Sequence, residues 1–355
     1  MNARSVRGAV AVAASLCALA GVAACNVQSD SDTAAADASA SPATAKNLRV
    51  GWSTIYLTPS WMQQTLKMLQ TDVDKLKSAG KVSSFKTFNA NGDTSQQIAQ
   101  IRAMIQQKYD VILVDAGSST ALNPALEQAV AAGITVVAFD SLPTSKKVIT
   151  VGTDQKAWGS MMATWLAKKL NGKGSVIAMN GPAGVAVSED RWSGAAAVFK
   201  KYPDIKIVSN VHSEYNLAPA AQAFAAAYSA HPDIDGVFSQ GGALSAAALQ
   251  TLVKQDKKLV PITGENYNGF LKLWQSKQKE GFSSLATAQP NYLSVIALEA
   301  AVAHREGVNV PHNVVVPLPE ITDSNLSQYA KPAEPDDSYP INDIPQSQID
   351  KLIGK

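Results

Sequence analysis

Along most of this chain, short apolar runs alternate with longer stretches whose apolar residues recur every three or four positions. LRVGWS, beginning at Leu48, reads as a strand, and Trp61 to Ala79 then sets Met62, Leu66, Leu69, Val73 and Leu76 on one helical stripe. Phe85 to Phe88 predicts a second strand. Ser95 to Gln107, with Ile98, Ile101 and Ile105 on one face, predicts a second helix. VILVD at 111–115 leads into a helix opening at Asn123-Pro124, cap then first-turn proline, before ITVVAFD at 134–140. Strands that are apolar on both faces need a layer on either side, so the alternation predicts an open, mostly parallel sheet covered by helices.

The pattern breaks near 150–155 and restarts. Helices are expected over Trp158–Leu170, Ser188–Lys201, Pro219–Ala230 and Ala243–Gln255, alternating with GSVIAMNG, IKIVSN, GVFSQG and LVPITG. Ser284–Gln289, a helix over Tyr292–Arg305 and a strand in NVVVPLP follow, and then a Pro- and Asp-rich tail with few packing residues. A body of roughly 300 residues exceeds one average domain. It is expected to form two Rossmann-like α/β lobes with parallel sheets, 48–150 with 288–317 and 151–287 with 318–355, joined by a hinge of several crossings. A ligand would sit between them, at the C-terminal edges of the strands.

The start of the chain lies outside this pattern. Arg4 and Arg7 precede an apolar stretch, Ala9–Ala24, that is short for a membrane span, and the run ends Val22-Ala23-Ala24-Cys25. Those four residues resemble a bacterial lipobox, which makes 1–24 a lipoprotein signal peptide and Cys25 the lipidated first residue of the mature chain; ordinary cleavage after A-x-A, or an uncleaved buried helix, is the alternative. Residues 25–47, including SDSDTAAADASASPAT, read as a flexible tether. With Cys17 discarded and Cys25 acylated, no thiol is left for a disulfide or a metal. The formal charge of +2 falls to 0 once Arg4 and Arg7 are removed, which gives no reason to expect nucleic acid as a partner.

Candidate chemistry gathers at the strand ends. Asp115 and Asp140 close consecutive strands and either face the crevice, where each carboxylate can accept from two hydroxyls, or serve as turn residues. Arg191, early in the helix after GPAGVAV, can donate to several ligand oxygens at once or pair at the surface with Glu189 or Asp190. Gln289, in ATAQP, offers an amide where the chain returns to the first lobe, to a ligand or to a hinge backbone. Tyr56, Trp61 and Trp192 can cover the apolar face of a sugar ring or pack in the core. GPAG and FSQGG lack the phosphate-loop pattern, the first strand leads into no G-x-G-x-x-G, no G-x-S-x-G occurs, and the four histidines lack metal-ligand spacing. Binding without chemistry, and without a cofactor, is the economical reading.

Ser53-Thr54, D-T-S-x-Q-x-x-x-I at 93–101, DVILVDAGSSTALNPALEQAVAAGITVVAFDS at 110–141, VGTDQKAWG at 151–159, G-x-x-G…R-x-x-G from Gly181 to Gly194, PDIDGVFSQ at 232–240 and ATAQP together resemble the periplasmic sugar-binding proteins of ABC transporters, the ribose-binding-protein and LacI-type family. The resemblance implies a type I periplasmic binding-protein fold and a lipid-anchored monomer that captures a sugar outside the cytoplasmic membrane and delivers it to a permease. It makes Asp115, Asp140, Arg191 and Gln289 ligand contacts. Where the family commonly has N-D this chain has Gly241-Gly242, and where G-F-D is common it has Gly264-Glu265-Asn266, so Gln240, Glu265 and Asn266 are the expected substitutes and the two glycines are expected to leave room for a bulkier ligand. A sensory binding protein and a lipid-anchored glycoside hydrolase using Asp115 and Asp140 are the rival expectations.

Overall fold

The computed structural model describes residues 45–355; the expected signal peptide, Cys25 and most of the expected tether fall outside them. Lobe one carries a parallel sheet in the order β11-β5-β4-β3-β1-β2. Its strands are β1 (Leu48–Thr54), β2 (Val82–Asn89), β3 (Val111–Asp115), β4 (Thr135–Phe139), β5 (Ile149–Gly152) and β11 (Asn313–Val315). Alternation along the strands splits the core. Trp52, Leu113, Val137 and Phe139 face α1 (Ser60–Ser78) and α9 (Leu293–Arg305), whereas Ile112, Val114, Val136 and Ala138 face α2 (Thr94–Gln106) and α3 (Asn123–Ala131). Leu122, rather than Asn123, takes the cap position of α3; the Asn123 amide donates instead to Thr144 Oγ1 at 2.8 Å.

Lobe two repeats the plan with the order β12-β10-β9-β8-β6-β7. These strands are β6 (Lys173–Asn180), β7 (Asp204–His212), β8 (Gly236–Ser239), β9 (Ile262–Glu265), β10 (Ser284–Thr287) and β12 (Ile321–Thr322), of which β12 alone runs antiparallel to its neighbour. Helices α4 (Gln155–Lys169) and α5 (Ala186–Phe199) cover one face; α6 (Leu217–Ala230), α7 (Gly242–Lys254) and α8 (Asn268–Lys277) cover the other. Helix α8 is absent from the sequence reading, although Phe270, Leu271 and Trp274 are all buried on it.

The tail departs from expectation. After β12 and the short α10 (Leu326–Tyr329), residues 331–338 lie on α8 of lobe two. The last helix, α11 (Gln346–Ile353), packs on α9 and β11 of lobe one through Ile349 and Ile353. Lys355 Nζ lies 3.9 Å from Glu299 of α9. The assignment of 318–355 to lobe two therefore holds for its first half only. The chain changes lobe after β5, after β10, after β11 and again near Tyr339. Its described residues begin and end on lobe one.

Candidate functional site

On lobe one, sheet register places the two carboxyls. Thr54 and Asp115 are paired at the ends of β1 and β3, and Thr54 Oγ1 donates to Asp115 Oδ2 at 3.2 Å. Asp140 follows β4 in the left-handed region, φ +63°, a conformation that costs a non-glycine residue about 1–3 kcal/mol and that turns the chain at the strand tip. Ser141 ties the two tips together: its Oγ donates to Ala116 O at 2.7 Å, and its carbonyl accepts from Ala116 N at 2.9 Å. Gln97, from the D-T-S-x-Q motif, clamps the loop after β3 by donating to Asp115 O at 2.7 Å and accepting from Gly117 N at 2.9 Å.

Both carboxyls are buried, and burial pushes both upward. Asp140 rises to about 6, opposed by the Gln289 hydrogen bond and by Arg191. Asp115 rises well above the carboxylate range because the Asp140 charge adds to its own desolvation. Among the described residues Asp115 Oδ1 has no hydrogen-bond partner, and Asp140 is close enough for its charge to raise Asp115 further. Two neighbouring buried carboxyls that are both raised give up their protons in separate steps, the second at higher pH than the first.

On lobe two, a helix–helix approach places the cation. A Cβ on Gly159 of α4 would overlap Arg191 O, and one on Gly194 of α5 would overlap Lys156 O. Only glycine lets the two backbones meet there. The contact sets the Arg191 guanidinium 4.4 Å from the Trp158 ring centre. Nε donates to Gln155 Oε1 at 2.8 Å and Nη1 to Gln240 O at 2.6 Å, while Nη2 stands 3.8 Å from Glu265 Oε1. Glu265 also accepts from Gly242 N at 3.1 Å and Gln289 N at 3.2 Å; burial raises it and Arg191 opposes the rise. The expected surface pairing of Arg191 does not form: Asp190 lies 3.5 Å from Lys156, and Glu189 accepts from Gly184 N.

Gln289 joins the walls. Its Nε2 donates to Asp140 Oδ1 at 2.6 Å, its Oε1 accepts from Thr153 Oγ1 at 2.5 Å and Gln155 Nε2 at 3.1 Å, and its carbonyl accepts from Trp61 Nε1 at 2.7 Å. Among the described residues the lobes enclose a cavity of about 110 Å3, room for several waters, lined by Asp115, Asp140, Arg191, Glu265, Gln289, Tyr56 and Trp61.

Three expected contacts lie elsewhere. Trp192, one residue on from Arg191, points into the core and meets Phe238 at 5.9 Å between ring centres. Gln240 supports from behind: its amide donates to Asn180 Oδ1 at 2.6 Å, and its carbonyl holds Arg191. Asn266 is fully buried off the cavity with no protein partner for its amide, while its neighbour Glu265 faces the cavity. The glycines leave no extra room, because a Cβ on Gly241 would meet the Tyr215 ring at 2.8 Å and one on Gly242 would overlap Tyr267 Cβ. Tyr215 thus fills the space assigned to ligand and itself lines the cavity, as do Val185, Val187 and Tyr339. Tyr215 follows β7, a strand-end position like that of the residues the sequence does disclose; Tyr339 sits in a tail with no periodic signal.

A family model described as a periplasmic binding protein domain matches residues 50–308. The chain belongs to that family. This periplasmic binding domain is 28% identical over 234 residues to the ribose import binding protein RbsB of Bacillus subtilis, covering 65% of this chain and 74% of that one. It is also 28% identical over 240 residues to a xylitol-binding protein of Mycolicibacterium smegmatis, covering 67% and 68%. Among solved structures, an ABC transporter solute binding protein from Thermobispora bispora superposes with a TM-score of 0.79 at 24% identity over 86% of this chain and 94% of that one. The periplasmic binding domain therefore has the two-lobed type I fold expected of it.

Proposed function

We propose that this protein is the extracytoplasmic sugar-binding component of an ABC importer. One observation carries the reading: a cavity enclosed between two lobes, with Asp115, Asp140 and two aromatics on one wall and the Arg191–Glu265 pair on the other. Carboxylates accept from sugar hydroxyls, the guanidinium donates to ring and hydroxyl oxygens, and Trp61 or Tyr56 covers a C–H face. Relatives whose names specify ribose and xylitol support a polyhydroxylated ligand. Ligand bridging both walls favours the closed arrangement by its differential contacts, and the closed form is what a permease would receive.

The site does not suit glycoside hydrolysis. Hydrolases of that kind hold two carboxyls about 5–9.5 Å apart on either side of the scissile bond. Asp115 and Asp140 stand on adjacent strand tips on the same wall of the cavity, not on either side of it. The lipid anchor at Cys25, a periplasmic or outer-face location and a monomeric state belong to the same proposal, supported by the lipobox-like run that precedes the tether.

Thermal-shift screening against D-ribose, xylitol, myo-inositol and D-allose tests the sugar reading, since saturable binding raises apparent stability by mass action. A sugar that raises the midpoint and is recovered unchanged supports it; no shift from any polyol or sugar, or turnover of a glycoside, would sink it. Radiolabelled palmitate that enters the wild type and not Cys25→Ser supports the anchor.

A further inference from the structure

The C-terminal tail does more than end the chain. Between 331 and 338 it is bound to the N-terminus of α8 in lobe two. Asn268 Nδ2 donates to the carbonyls of Lys331, Glu334 and Pro335 at 2.9, 3.1 and 3.0 Å, and its Oδ1 accepts from Lys331 N at 2.9 Å. The free amides of the first helical turn, Asn268 N and Gly269 N, donate to Ser338 O at 2.9 Å and Asp336 O at 2.7 Å. Lys272 adds a bond to Glu334 O at 3.0 Å and an ion pair with Asp336.

One residue later the tail is held by the other lobe. Gln64 of α1 makes a reciprocal pair with the Tyr339 backbone, Nε2 donating to Tyr339 O at 2.9 Å and Oε1 accepting from Tyr339 N at 3.0 Å. The Tyr339 ring is buried, lines the cavity and meets Tyr267 of lobe two edge-on at 5.5 Å. Beyond it, 340–344 make no hydrogen bond among the described residues, and α11 is then docked on lobe one.

We propose that residues 331–345 are a strap across the ligand cavity, that Tyr339 is a ligand-facing wall carried by it, and that the cavity opens when the strap lets go of Gln64. The attachments decide which end yields. Lobe two holds the strap by a dense set of bonds around Asn268, whereas lobe one holds Tyr339 by the Gln64 amide. The six-residue link 340–345 can extend to roughly 20 Å, so the lobes can part while α11 stays docked. The part played by Tyr339 in binding rests on the sugar reading; the strap itself does not.

Hydrogen exchange on the sugar-free full chain separates the two. Gln64→Ala is expected to speed exchange by about tenfold in the lobe-two cavity loop at 182–188, far in sequence from the change, because opening is what exposes it. Acceleration confined to 339–345 would mean a local contact and would overturn the strap. Asn268→Ala, which frees the other end, is expected to give the same distant signature. For the sugar that shifts the wild type in the panel above, Tyr339→Ala is expected to weaken affinity about tenfold, and Gln64→Ala to raise association and dissociation rates together. Affinity within about twofold of wild type in Tyr339→Ala overturns its role as a wall. A panel in which nothing binds removes the sugar reading and that role with it, and exchange still decides the strap.

Discussion

The two walls of the cavity are built in different ways. On lobe one, Asp115 and Asp140 stand on neighbouring strand tips, fixed mainly by Thr54, Ser141 and Gln97 on or beside the same sheet, with Gln289 reaching Asp140 from the crossing after β10. On lobe two, Arg191 depends on two helices touching at Gly159 and Gly194, on a tryptophan beneath it, and on Gln155, Gln240 and Glu265 from three further places in the chain. Lobe one thus presents charge that is under-compensated and locally held. Lobe two presents charge that is compensated and held by a network. Damage on the first wall should stay local, whereas damage on the second should spread.

The largest test of that contrast is Arg191→Met. It leaves Glu265 buried without its cation, and breaking a buried pair from one side costs about 3–5 kcal/mol. Urea unfolding should show this loss in the sugar-free protein, and isothermal titration should show affinity for any bound sugar reduced by about 100-fold or more. A variant that loses affinity but keeps full stability would mean that the network is not a unit. Next comes Gly159→Ala, where the added Cβ must push α5 away from α4; overpacking of this kind costs about 1–3 kcal/mol. Because α5 carries Arg191, affinity should fall in step with stability, although residue 159 lies outside the cavity lining.

Asp140→Asn should have a smaller effect, with a pH dependence of its own. The folded chain holds the Asp140 proton at about 6, above the ordinary carboxylate value of 3.8, so it binds that proton more tightly than the unfolded chain does. Stability from this group is complete below about pH 4 and is lost as pH rises through about 6. The uncharged amide of the variant would be spared that loss, so Asp140→Asn should gain on the order of 2 kcal/mol over wild type at pH 7 and nothing at pH 4. A gap of constant size across that range in urea midpoints would contradict the raised proton affinity of buried Asp140. Trp192→Phe should change least: about 1 kcal/mol of packing against Phe238, with sugar affinity within about twofold of wild type.

The same contrast explains what can be read from the sequence. Periodicity discloses both sheets because strands such as VILVD and TVVAF are apolar throughout and the helices between them amphipathic. It discloses Asp115 and Asp140 because a carboxylate at the end of an apolar run is conspicuous. Arg191 is visible as a residue, but not its support, since Gly159 and Gly194 signal a close approach only once two helices are known to cross. Trp192 is misplaced because adjacency in sequence puts two helical residues about 100° apart, one toward the cavity and one into the core. Asn266 is misplaced for the strand-end version of the same reason: consecutive residues there point to opposite faces, and Glu265 takes the cavity side. The tail gives no sign of Tyr339, because a strap held by backbone carbonyls and a single asparagine has no repeating side-chain pattern.

The number of lobe crossings has a mechanical consequence. A chain that crosses four times starts and finishes on the same lobe: Ala45 and α11 both belong to lobe one. A reporter fused at Ala45 or after Lys355 therefore loads the same half of the molecule. Lobe two is the free arm of the clamp. With lobe one held at a surface through either attachment, the swing of lobe two is the motion left to report whether the clamp is full.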